Sequence, residues 1–129
     1  TKLDKILAEI SAGELIDKIT ILEIKKIKIT DTKKLKEVDK ELISLNNTMK
    51  NFIKDESVIV DLKEKLKEIN LKLWDIEDGK RNAERNNDFG KKFIELARNV
   101  YKFNDERAKI KSEINLILNS NIREVKSHF

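Results

Sequence analysis

Cysteine and proline are absent from the 129 residues, glycine occurs three times, and the single histidine is His128. Without cysteine there is no disulfide framework, no thiolate zinc or iron–sulfur site and no cysteine nucleophile. One histidine cannot build a catalytic triad, a zincin site or a di-iron bundle centre, so neither a metal nor a cofactor is expected. So little proline and glycine leave few tight turns, which argues against a sandwich or barrel of many short strands. No apolar run approaches the roughly 20 residues of a membrane span. Residues Thr1 to Ile10 carry Asp4 and Glu9 and lack the apolar centre of a signal peptide. A soluble cytoplasmic protein with no membrane partner is the expectation.

What the chain does contain is charge, at 40% of residues, against an apolar fraction of 39% that suffices for one core in a single domain over 1–129. Lysine and arginine number 28 and aspartate and glutamate 24, for a net charge of +4. Most of that surplus lies after residue 90. Acids and bases alternate, as in Lys33-Lys34-Leu35-Lys36-Glu37, which reads as a solvated helix surface rather than a nucleic-acid interface.

Ser11-Ala12-Gly13-Glu14 has the form of a capping box and starts a first helix running to about Ile29. Its apolar residues, from Leu15 to Ile29, spread around the whole circumference, so it must be buried on several sides. A second helix, capped by Thr30 or Asp31, carries Leu35, Val38, Leu42, Leu45, Met49 and Phe52 at 3-4 spacing. A third repeats that spacing at Ile59, Leu62, Leu66, Ile69, Leu73 and Ile76, and a fourth at Phe93, Leu96, Val100, Phe103, Arg107, Ile110, Ile114 and Ile117. Turns are placed at Lys54–Ser57 and Asn86–Asp88, and the last residues read as a loosely held tail. The fold class is all-α: an elongated antiparallel bundle of three to four long helices with coiled-coil-like heptad seams, any strand being confined to the first ten residues or the tail.

The informative positions are those where apolar stripes turn polar. Arg107 occupies a seam position in the fourth helix, with Asn104 and Lys111 on the same face. The stripe of the third helix continues as Glu77, Lys80 and Glu84, and Glu23 and Lys26 border that of the first. An unpaired buried charge costs several kcal/mol, so these groups must pair or line a wet pocket. Two readings follow: a buried ion-pair network that fixes register, or an anion pocket centred on Arg107 with Lys26, Lys80 or Lys111. A second cluster surrounds Trp74, Glu77 and Asp78, with Arg81 at i,i+4 spacing from Glu77, and Arg98, Tyr101 and Asp105 sharing one flank of the fourth helix. Antiparallel pairing places Glu77 roughly opposite Arg98.

Ser11 to Lys25 (SAGELIDKITILEIK), Leu73 to Asp78 (LWDIED), Asp88 to Asn115 (DFGKKFIELARNVYKFNDERAKIKSEIN) and EVKS at 124–127 resemble a family of small all-helical bacterial proteins of unknown function. The resemblance covers about half the chain. It implies one intact domain and supplies no activity, cofactor or substrate.

Two functions compete. The first is a structural or protein-interaction module that self-associates, because the apolar ring of the first helix calls for a second copy around it and so for a homodimer. The second is a small anion-binding protein or metal-free enzyme with a cationic pocket in the bundle core, likened to the all-helical chorismate mutases by architecture alone. A carboxylate partner for Arg107 separates them.

Overall fold

The chain was analysed as a computed structural model, which describes residues 2–128; Thr1 and Phe129, the ends of the expected domain, lie outside the described residues. Four helices account for most of it: α1 (Ala12–Lys28), α2 (Thr32–Phe52), α3 (Val60–Arg85) and α4 (Lys91–Ile117), with a short 3-10 turn at Glu56–Ile59 leading into α3. No strand occurs among the described residues, and residues 2–10 are exposed and without regular structure.

Each boundary has a local cause. The Ser11 hydroxyl accepts from the Glu14 N–H at 3.1 Å, the first half of the expected capping box. The second half is replaced, because the Glu14 carboxylate is drawn to Lys111 instead. Asp31 caps α2 by accepting from Lys33 and Lys34 N–H. α3 and α4 both stop on an asparagine in the left-handed region, Asn87 at φ 53° and Asn119 at φ 50°. The N–H groups that follow reach back to orphan carbonyls, Asp88 to Ala83 and Ser120 to Asn115, a Schellman-type closure with asparagine in place of glycine.

The helices run alternately up and down the bundle. α1 lies against all three others, whereas α2 approaches no helix but α1. The expected apolar ring of α1 is therefore covered inside one chain: Leu15, Ile16, Ile19, Leu22 and Ile24 are all buried. Only Ile27, at its C-terminal end, is a large apolar side chain of that helix left exposed. This removes the ground on which a second copy around α1 was expected. Ile59, Leu62, Leu66 and Ile69 of the third seam and Ile110 and Ile114 of the fourth join α1 in one core with Val38, Leu42 and Met49 of α2.

Two seam ends depart from the pattern. Phe52 is 80% exposed, and Ile53 at 8% takes its place in the core. α2 ends at Phe52, and the extended backbone at Ile53 turns the next side chain inward. Ile117, the last residue of α4, is also exposed. The expectation of a loose tail is corrected too. Ser120 accepts from the Ala12 N–H at 3.0 Å, Glu124 meets Lys111 at 2.9 Å, and Lys126 meets Asp105 at 3.0 Å, so the tail folds back along α4.

Phe52→Ser is expected to change stability by less than about 0.5 kcal/mol. Ile53→Ala is expected to cost about 2–5 kcal/mol. Chemical denaturation of the two variants checks this, and equal losses would put both side chains in the core.

Candidate functional site

The polar centre of the bundle is built on α1, a residue type at a time. Asp17 sits one turn into the apolar face formed by Leu15, Ile16 and Ile19, and its side chain is 1% exposed. A carboxylate so placed must find donors. Arg107 of α4 supplies two, its Nε to Asp17 Oδ1 at 2.9 Å and its Nη2 to Oδ2, a bidentate contact. Asn70 of α3 supplies a third at 2.9 Å, and the same amide donates to Thr20 Oγ1 at 2.9 Å. The Thr20 hydroxyl in turn donates to the Asp17 carbonyl at 2.8 Å. Asn104, one turn before Arg107, accepts from the remaining guanidinium nitrogen at 3.5 Å.

One turn along α4, Lys111 is held from two sides. Its Nζ donates to Glu14 Oε2 at 2.7 Å and meets Glu124 Oε2 at 2.9 Å, with Asp17 Oδ2 further off at 3.9 Å. A further turn on, Asn115 Oδ1 accepts from the Gly13 N–H at 2.7 Å. The three free N–H groups at the start of α1 are thus all satisfied: Ala12 by Ser120, Gly13 by Asn115, Glu14 by Ser11. Gly13 is what allows the approach. A Cβ there would stand 2.5 Å from the Lys111 carbonyl oxygen, a backbone atom that cannot rotate away.

The electrostatics agree with the geometry. Hydrogen bonding to the Asp17 carboxylate outweighs the burial of Arg107 and raises its pKa above the ordinary arginine value. Burial opposes the charge on Lys111, but hydrogen bonds to Glu14 and Glu124 more than offset it, and its pKa also rises. Both cations are held charged.

Of the residues singled out in the sequence, Asn104, Arg107 and Lys111 come together here. The others do not. Lys26, expected near Arg107, pairs with Asp39 of α2 at 3.2 Å, and Glu23 pairs with Lys63 and Lys67 of α3. Lys80, Trp74 and Asp105 are half-buried on α3 and α4 away from that centre, and Asp105 meets Lys126. Glu77 takes Arg81 at 2.9 Å as its i,i+4 partner, and the expected contact with Arg98 is not made. Asp78, Arg98 and Tyr101 are exposed. The residues that sequence reasoning missed are the acceptors Asp17, Glu14, Asn115 and Glu124 and the donor Asn70. Asp17 could have been found, since it and Glu23 are the carboxylates set within an apolar run that the pattern declared buried on several sides. Among the described residues no cluster of His, Asp or Glu is arranged to hold a metal ion, and no helix is long and apolar enough to cross a membrane.

These features define an all-α bundle whose buried charges are paired with one another, with Lys111, Asn115, Glu124 and Lys126 also lining a concavity of about 110 Å³. The chain belongs to a family of unknown function (DUF6165), whose model matches residues 6–129. No curated protein and no solved structure matches it.

Removing one side of the pair leaves a buried charge alone, so Arg107→Met and Asp17→Leu are each expected to cost about 3–5 kcal/mol. The double variant is expected to lose less than either single one. Urea denaturation of the three checks the coupling, and losses that simply add would show that there is none.

Lys111 gives a pH test. A raised folded-state pKa means its stabilisation is complete below the unfolded value of about 10.4 and is lost as pH climbs through the higher folded value. Thermal melts should therefore show an alkaline decline above about pH 10.4 that is shallower in Lys111→Met.

Proposed function

We propose that this protein is a structural or protein-interaction module that self-associates. The observation that carries this reading is the uneven coverage of the α3–α4 hairpin. No residue of α3 beyond Ile76 and none of α4 before Ile110 is buried, although the apolar 3-4 stripe of α4 runs through its stretch. Phe93, Leu96, Val100 and Phe103 are only half-covered there. Gly79 lets the two helices close up, its Cβ position lying 3.2 Å from a Leu96 methyl, and even so a two-helix hairpin leaves much of its apolar surface in water.

The alternative, an anion-binding pocket or a metal-free enzyme, would need Arg107 and Lys111 to face a solvent-filled cavity. Both cations already bind carboxylates, Arg107 through Nε and Nη2 to Asp17 and Lys111 through Nζ to Glu14 and Glu124. An incoming anion would have to displace carboxylates that are part of the same chain.

Multi-angle light scattering at micromolar concentration should return a particle of about twice the 15.1 kDa chain mass. A well-folded particle of one chain mass would overturn the reading.

A further inference from the structure

The outward face of α4 carries a second stripe, set opposite the one that packs on α3. Lys91, Ile94, Arg98, Tyr101 and Asp105 recur at 3-4-3-4 spacing, which at 100° per residue confines them to one narrow arc. Ile94 is 47% exposed and Tyr101 58%. Lys91, Glu95, Asn99 and Lys102 join Ile94 and Arg98 around a shallow concavity of about 510 Å³. No contact within the chain accounts for two large apolar side chains one heptad apart on this face.

The order of residue types along the stripe is self-complementary. Read forwards it is cation, apolar, Arg98, apolar, carboxylate, so an antiparallel copy of the same stripe meets the charge at each end with its opposite, and Arg98 with its own symmetry mate. We infer that two copies of this chain associate by packing α4 against α4 antiparallel, with the two-fold axis at Arg98. This rests on the self-association proposed above and places it on the face of α4 opposite the half-covered seam. Ile94 then meets Tyr101 of the partner subunit, and Lys91 meets Asp105 of the partner subunit, twice each by symmetry. Glu95 of the partner subunit lies one turn from Arg98, and accepts from it where two guanidinium groups would otherwise face each other. Asp105 already holds Lys126 at 3.0 Å and has a second oxygen to accept from the incoming lysine. A parallel arrangement would set lysine against lysine and carboxylate against carboxylate, so the charges select the antiparallel one.

The test uses charge reversal and mixing on the full chain. Lys91→Glu and Asp105→Lys each turn both end contacts into like-charge pairs, and each should raise the dimer dissociation constant about tenfold or more. Mixing the two variants restores opposite charges at both ends, so sedimentation should recover a heterodimer that neither forms alone. Ile94→Lys, at an exposed position, should weaken the dimer with an unchanged melting curve of the dissociated chain. Since the chain has no cysteine, Arg98→Cys alone should cross-link two copies under oxidation, and Lys91→Cys alone should not. A dimeric wild type that is indifferent to these changes, or variants that mixing fails to rescue, would overturn the α4 interface and leave self-association standing on another surface. A monomeric wild type would overturn both.

Discussion

The contact between Asp17 and Arg107 decides how the rest of the chain is arranged. α1 is apolar around most of its circumference, and the hydrophobic effect that buries it is non-directional. Burial alone would let α4 slide along α1 or turn about it at little cost. The polar contacts remove that freedom. Gly13 with Asn115, Glu14 with Lys111 and Asp17 with Arg107 form a ladder of about one rung per turn, and only one axial position and one rotation satisfy all three. Well-packed apolar residues could match the stability of such a pair, since desolvation offsets most of its Coulomb attraction. Uniqueness of register is what they could not supply, and a single buried polar position is known to do this in coiled coils.

The same ladder ties three chain segments into one unit. The N-terminus of α1 is capped by Asn115 and Ser120, the end of α4 is closed through Asn119, and the tail returns to Lys111 through Glu124. Opening any one of them exposes donors or charges in the others. The far part of the α3–α4 hairpin has no such support. Its seam is half-covered and its surface pairs are exposed, as in Glu77 with Arg81. Local opening should cost least there and most around Asp17, because it is buried contacts that opening must break.

How much of this was legible in the sequence follows from which signals are periodic. The four helices and their seams were readable because burial on one face imposes a 3.6-residue period, and Ser11, Asp31 and Asn86–Asn87 mark boundaries by side-chain chemistry. Arg107 and Lys111 were found because long cations interrupt an apolar stripe. Their partners were not, for a physical reason. Asp17 belongs to a helix whose apolar residues are spread over most of its circumference, so it interrupts no single stripe, and Asn70 stands beside its seam rather than in it. Pairing between helices also depends on their axial shift, which spacing within one helix does not contain. For that reason Lys26 and Lys80 were assigned to the wrong neighbourhood, and the tail, whose contacts are all long-range, read as loose.

The chemistry of the centre bears on function through the state of its charges. A general base built on lysine needs a pKa lowered towards neutrality, and an anion site needs donors left over for the ligand. Here carboxylate contacts move Lys111 and Arg107 the other way, further from deprotonation, and the carboxylates occupy the donors that a ligand would use. The groups that remain unspent lie on the surface, where Ile94, Arg98 and Tyr101 face outward on a helix whose opposite side is already packed. A chain that commits its interior charges to holding one register has its outer faces left for recognition, and a rigid register is what keeps a long helical face in the single geometry that recognition requires.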